Sequence, residues 1–269
     1  LAAITPFAIA NRIGVTLKNV FVKLLINLTP VFSRIEGRYG VGEEMRHAFL
    51  FLYKVSCYVA LFAAGMIAIV APDFVLRWMG PGYGESVRLL HVALLGVCAA
   101  GMQMPTLSLL FGTSNHRFYA MTNSLEAVLI VVSALVLTPR YQLLGMVCGA
   151  SASTLFVKLF LQPVRTVRLL NYSLTRLHVL HTMRHIAAAG LFLVAAYAAS
   201  RRWLHPTYPS LLAFAVCCSL LYAPYILFVG FNRTERTRLL ASVPFAQRVL
   251  GVLPSVTAGD ERRGEEGKR

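Results

Sequence analysis

Residues 13–32 read IGVTLKNVFVKLLINLTPVF, a run of membrane-spanning length that also contains two lysines. At about 100° per residue, a helix through this region has polar and cationic side chains on one half of its surface. These side chains are Asn11, Arg12, Thr16, Lys18, Asn19, Lys23 and Asn27. The opposite half is apolar and consists of Ile13, Leu17, Phe21, Leu24, Leu25 and Leu28.

Placing this helix in lipid on all sides is energetically unfavourable. The twelve apolar residues between positions 13 and 32 contribute about −5 kcal/mol on an insertion scale, whereas Lys18 and Lys23 together cost about +6 kcal/mol. Since Lys23 would lie near the middle of the bilayer, we expect the polar half to line a cavity inside the protein. A cavity lined by cations indicates an anionic ligand.

The composition indicates a polytopic membrane protein. The chain is 57% hydrophobic with a mean hydropathy of +0.64, which is not typical of a soluble domain. Its net charge of +15 is better explained by basic cytoplasmic loops than by nucleic-acid binding, because no nucleic-acid-binding module is recognisable. The chain begins at Leu1 without a methionine, so we expect an upstream part of a larger protein.

Seven segments are long and apolar enough to cross a membrane, and the predicted fold class is therefore all-α. They are residues 13–32, 49–71, 87–111, 118–138, 143–163, 186–202 and 210–231. Residues 239–256 are amphipathic and are predicted to lie on the membrane surface. Residues 257–269 are polar and are predicted to be disordered.

The distribution of arginines predicts the orientation. Loops 33–48, 112–117 and 164–185, together with residues 232–248 at the start of the C-terminal tail, contain twelve arginines, against four in the loops on the other side. By the positive-inside rule, the first group faces the cytoplasm. The C-terminus is then cytoplasmic and the N-terminal end of the chain lies outside, in a multi-pass protein of the inner (plasma) membrane.

Few ionisable residues lie inside the predicted spans. Cysteine and tyrosine aside, those more than three residues from a span end are Lys18, Lys23, Lys54, His91, Glu126 and Lys158. Glu126 is the one acid among them, and we expect it to pair with a cation on another helix, such as Arg12 or a lysine of the first helix, or to protonate. Lys54 and Lys158 are near the predicted cytoplasmic ends of their helices, which favours snorkelling.

The sequence contains no pattern typical of an enzyme or a cofactor protein. Its five cysteines form no CxxC pair and its seven histidines form no HExxH motif, so no metal site is predicted. No paired carboxylates, nucleophile elbow or P-loop occur. We therefore expect neither catalysis nor a cofactor.

Four short signatures occur in order: LTPVFSR (28–34), LRWMGPGY (76–83), LLFG (109–112) followed by His116 and Arg117, and LTPRYQLLG (137–145). Together they resemble the polysaccharide transporter family, the Wzx-type flippases of lipid-linked oligosaccharides. That family belongs to the multidrug/oligosaccharidyl-lipid/polysaccharide exporter superfamily. The resemblance covers about residues 1–170 and is weaker afterwards. Gln142 is a departure, because the family usually has glycine there.

The resemblance implies a fourteen-helix architecture, in which two six-helix lobes surround a cavity and an accessory helix pair follows. Residues 1–170 would be the C-terminal lobe (the end of helix seven and helices eight to twelve), 171–231 the accessory pair and 232–269 a cytoplasmic tail. The implied partners are membrane lipids, the missing N-terminal lobe, a polysaccharide polymerase and glycosyltransferases.

The implied function is the flipping of a polyprenyl-pyrophosphate-linked oligosaccharide by alternating access. In this interpretation Arg12, Lys18 and Lys23 bind the pyrophosphate, and Asn19 and Asn27 bind the sugar. Glu126 would hold the cations in place or protonate during the cycle.

Three alternatives stay open. A multidrug extruder of the same superfamily would export organic cations and needs acidic residues in its site. A non-transporting membrane scaffold would tether polysaccharide-synthesis enzymes through loop 164–185. A truncated, nonfunctional gene product would have no activity.

Overall fold

The computed structural model describes residues 4–25, 28–233 and 235–236, and this part of the chain is helical without a strand. Its α-helices are α1 (Ile4–Leu25), α2 (Thr29–Tyr39), α3 (Glu43–Met79), α4 (Gly84–Met102), α5 (Met104–Gly112), α6 (His116–Phe156), α7 (Gln162–Leu169), α8 (Leu174–Arg176), α9 (Arg184–Trp203) and α10 (Tyr208–Val229). Two π-helical segments, Val157–Leu161 and Leu177–Met183, continue α6 and α8.

Within the described residues, six helical runs have the length and apolar composition needed to cross a membrane. They are Thr5–Tyr39, Glu43–Met79, Pro81–Gly112, His116–Leu169, Leu174–Trp203 and Tyr208–Val229. The predicted all-α architecture with membrane-length helices is thereby confirmed. The predicted spans 118–138 and 143–163 fall within a single run.

That run reverses direction at Gln142, whose φ of 52° and ψ of −137° are not helical. Residues before Gln142 contact residues at a similar distance after it. Leu137 lies against Gly145, Ser133 lies against Gly149, and Thr154 donates a hydrogen bond to Glu126. The parts of the run before and after Gln142 are therefore antiparallel neighbours, called here the first and second arms. Glycine adopts such a positive φ most easily, which gives a physical reason for glycine at the corresponding place in the signature.

Helix α4 lies at the centre of the bundle and packs against α1, α3 and α6. Its contacts are close because small residues face each other. Ser151 donates to the Val92 carbonyl at 2.9 Å, and a Cβ on Gly96 would lie 3.3 Å from the Ser151 Cα. In a membrane, where lipid is as apolar as leucine, such close backbone approach is a main source of helix association.

The apolar half of α1 packs on this bundle as the periodicity predicts. Ala10, Leu17 and Phe21 are buried, and the Phe21 ring fills the space beside Gly101 of α4. Arg12, Lys18, Asn19 and Lys23 are on the exposed side of the helix. α1 thus buries Ala10, Leu17 and Phe21 but leaves Leu24 59% exposed, and it presents its polar half outward.

A chain of buried hydrogen bonds joins the break between α4 and α5, helix α3 and the π-helical segment Leu177–Met183. Gln103, at the break between α4 and α5, donates to the Tyr53 hydroxyl at 3.3 Å, and that hydroxyl lies 2.9 Å from Thr182 Oγ1. Tyr58 of α3 likewise pairs with His185 Nδ1 of α9 at 3.0 Å. These polar contacts hold α9 against α3, because each buried partner would otherwise lose a hydrogen bond.

By internal contacts the chain divides after Tyr222 into two compact units. In the second unit, the Arg236 guanidinium lies 4.5 Å from the Phe228 ring centroid and donates to the Leu227 carbonyl. The predicted surface segment 239–256 and disordered segment 257–269 lie outside the described residues. The predicted boundary after residue 170 stays a prediction.

The antiparallel arms allow a direct test of the fold. Gly145→Ala is expected to destabilise the protein by about 1–3 kcal/mol, because its Cβ would lie 2.5 Å from the Leu137 carbonyl oxygen, a backbone atom. The matched control is Gly190→Ala, since nothing lies within 4 Å of a Cβ there and alanine favours helix. Thermal unfolding in detergent measures both. Equal midpoints for the two variants would show that the arms do not approach this closely.

Candidate functional site

The two arms meet at a buried ion pair. Lys158 Nζ lies 2.9 Å from Glu126 Oε2, and the two side chains are only 11% and 13% exposed. This result corrects two predictions. Glu126 pairs with Lys158 and not with Arg12 or a lysine of the first helix, and Lys158 does not snorkel to the membrane surface. The reason is the hairpin, which brings residues of the two arms together at the same depth.

Neutral polar groups complete the coordination of the pair. Thr154 Oγ1 donates to Glu126 Oε1 at 2.9 Å, and Lys158 Nζ donates to Asn123 Oδ1 at 2.8 Å. Gln162 Nε2 donates to the same Asn123 oxygen at 3.1 Å. A buried ion pair is tolerated when its remaining donors and acceptors find partners, and these bonds supply several of them.

The π-helical segment Val157–Leu161 determines where Lys158 lies. Pro163 has no N–H group, so the Leu159 carbonyl cannot accept the usual α-helical hydrogen bond from position 163. His178 Nε2 replaces it and lies 2.7 Å from the Leu159 oxygen. π-helical turns inside α-helices are often found at functional sites, and this one contains the buried lysine.

Two cavities adjoin the ion pair. One of about 290 Å³ and one of about 340 Å³ are both lined by Lys18, Glu126 and Lys158. Asn11, Ser151 and Thr154 also line the first, whereas Gln103, Asn123 and Gln162 also line the second. The described residues around each cavity therefore carry two positive charges and one negative charge, together with amide groups.

Not all predicted site residues come together here. Lys18 and Glu126 line both cavities, as a shared site requires. Arg12, Asn19 and Lys23 are exposed on α1 and are not among the residues lining either cavity. Asn27 lies outside the described residues. The exposed ladder on α1 thus extends beyond these two cavities.

Sequence reasoning missed Lys158, Thr154, Asn123 and Gln162 as site residues. A usable signal was present, because Asn123 and Glu126 are three residues apart and Thr154 and Lys158 are four apart, so each pair shares a helix face. Had a tight turn been predicted near residues 139–142, the helix face with Asn123 and Glu126 could have been placed opposite the face with Thr154 and Lys158. The sequence alone did not show which residue of the first arm lies opposite which residue of the second.

Comparison with protein-family models, with curated proteins and with solved structures finds no match to this chain. The chemistry of the site is therefore inferred from its own residues. A lysine held by a carboxylate, a second lysine in the cavity lining and several amide groups suit a ligand with both anionic and hydroxyl groups.

Proposed function

We propose that this chain is part of a membrane flippase for a polyprenyl-pyrophosphate-linked oligosaccharide used in cell-surface polysaccharide biosynthesis. One observation supports this most: Lys18, Lys158 and Glu126 line two adjoining cavities within a bundle of membrane-length helices. Charged residues at such depth are costly and are usually functional. A net positive cavity favours an anionic substrate.

The chemistry of the substrate matches the types of side chain present. A pyrophosphate and its attached sugars cannot cross hydrocarbon, because their charges and hydroxyl groups would lose water without compensation. Lysines offset the pyrophosphate charge, and amide groups such as Asn123 and Gln162 hydrogen-bond sugar hydroxyls. In this proposal Glu126 holds Lys158 in place until the pyrophosphate binds.

The topology is part of the proposal. The reversal at Gln142 would make the two arms separate crossings, giving seven in total with the C-terminus in the cytoplasm. The exposed polar half of α1 would then face the opposite lobe of a fourteen-helix protein, with Arg12, Asn19, Lys23 and Asn27 completing the site. This arrangement explains why a membrane helix presents lysines outward.

The test is a binding comparison on the purified full-length protein in neutral detergent. Polyprenyl pyrophosphate is expected to bind more tightly than the lipid monophosphate, because its additional charge interacts with Lys18 and Lys158, and tetraphenylphosphonium is expected to bind weakly. Raising the salt concentration should reduce the pyrophosphate preference by screening. Tight tetraphenylphosphonium binding without pyrophosphate binding would favour the organic-cation extruder instead.

A further inference from the structure

A third cavity lies on the surface, far along the second arm from Gln142. It has a volume of about 460 Å³ and lies between the turn that precedes α6 and helix α7. Its lining includes Arg117, Arg165 and Arg168, and no acidic side chain is among the described residues around it. Neither Lys18 nor Lys158 contributes, so it is separate from the site described above.

The arginines are arranged by the fold. Asn115 Oδ1 accepts hydrogen bonds from Nε and Nη2 of Arg165 at 3.2 and 3.0 Å. Asn115 is held in turn by its own Nδ2, which donates to the Thr113 carbonyl at 2.7 Å. Because Asn115 accepts only two of the five guanidinium N–H donors, the group is oriented while donors remain for a ligand.

Three arginines, with no acid among the described lining residues, make the cavity strongly attractive to anions. Arg165 and Arg168 are three residues apart and share one face of α7, where like charges repel. Arg117 adds a third charge from the beginning of α6. Guanidinium groups favour phosphate because their planar donors match its oxygens.

The cavity also continues into an apolar surface. Met121 lines it and is 71% exposed. Leu125, Val128 and Val132 follow on the same helix face and are exposed as well. From Met121 to Val132 the helix rises by about 16 Å, roughly half the thickness of a bilayer's hydrocarbon core. A ligand with a phosphate and a hydrocarbon chain fits both parts.

We propose that this cavity binds the phosphate headgroup of an anionic phospholipid, with an acyl chain along the face that begins at Met121. The arginine distribution along the sequence predicts that this end of the bundle faces the cytoplasm, where basic pockets between helices commonly hold such headgroups. The site is independent of the proposed flippase activity and needs no lipid-linked sugar.

The experiment measures lipid binding to the full-length protein in neutral detergent by native mass spectrometry. Phosphatidylglycerol should bind more tightly than phosphatidylcholine. In the triple variant Arg117→Gln/Arg165→Gln/Arg168→Gln, its affinity should fall by on the order of a hundredfold, about fivefold for each arginine. The matched control is Arg140→Gln/Arg201→Gln/Arg202→Gln, which removes three exposed arginines elsewhere and should leave the affinity unchanged. Thermal unfolding of both variants verifies folding.

Three outcomes would overturn the proposal. The first is that the triple variant keeps its preference for phosphatidylglycerol. The second is that the control variant loses the preference equally, which would indicate nonspecific attraction to a basic surface. Inorganic phosphate could compete with phosphatidylglycerol at equal concentration, which would make the cavity a soluble-anion site. Weak competition by inorganic phosphate, together with a loss confined to the triple variant, supports the lipid site.

Discussion

Lys158→Met is expected to destabilise the protein by about 3–5 kcal/mol, because it leaves the Glu126 carboxylate buried without its cation. The carboxylate is 13% exposed, so water cannot replace the ammonium group effectively. Thr154 still donates one hydrogen bond, but a neutral hydroxyl does not balance the charge. The measurement is the midpoint of thermal unfolding of the purified protein in detergent.

Two further variants make this expectation specific. Lys23→Met removes an exposed lysine from a membrane-length helix and should change the midpoint little. The double variant Lys158→Met/Glu126→Gln removes both charges and should recover most of the lost stability, since replacing a buried pair is far less costly than breaking it. If Lys158→Met and Lys23→Met shift the midpoint equally, the pair does not stabilise the fold.

The same double variant also separates stability from function. If the pair is purely structural, Lys158→Met/Glu126→Gln restores transport together with folding. If Lys158 binds the pyrophosphate, the double variant folds but transports poorly. Lys158→Arg keeps the positive charge and is expected to retain more activity than Lys158→Met at equal protein level.

Lys18→Glu is expected to reduce polysaccharide export by at least about thirtyfold, since it places a carboxylate where the proposed pyrophosphate binds and like-charge contacts cost several kcal/mol. The substitution changes the charge of both cavities by two units and adds a second carboxylate to the residues that line them. The measurement is export by cells that produce the full-length protein at equal levels.

Lys23→Glu provides the comparison within the same helix. Lys23 does not line the two described cavities but would face the opposite lobe in the proposed arrangement, so Lys23→Glu is also expected to reduce export, by less than Lys18→Glu. Arg38→Glu, at an exposed position of α2 beyond the predicted span 13–32, is the control for a charge change away from the cavities and should export normally. Normal export by both Lys18→Glu and Lys23→Glu would refute the cationic cavity.

Much of the fold was predictable because a helix in a membrane is determined by residues that are close together in the sequence. Apolar runs of about twenty residues satisfy their own backbone hydrogen bonds and need no partner to do so. The apolar half of α1 was predictable for the same reason, and Leu17 and Phe21 are buried as the periodicity indicates. The polar ladder on its other half is likewise where the period places it.

The pairing of charges was not predictable in this way. Glu126 could have met any cation at a similar depth, and its true partner lies 32 positions further along the chain. That choice depends on the reversal at Gln142, on the close approach of Gly149 to Ser133, and on the π-helical turn that contains Lys158. Each of these features depends on how two helical segments pack against each other, so none can be derived from one helix alone.

The sequence by itself indicated a basic, helical protein of membrane type, with lysines in its first membrane-length segment and one acid inside such a segment. The tertiary structure alone decided that Lys158 neutralises this acid, that Lys18 lines the same cavities, and that Arg117 of the first arm meets Arg165 and Arg168 of the second around one cavity. The physical reason is that the two properties depend on interactions over different distances along the chain. Helix periodicity follows from neighbouring residues, whereas the position of one charge relative to another follows from how helices pack against each other.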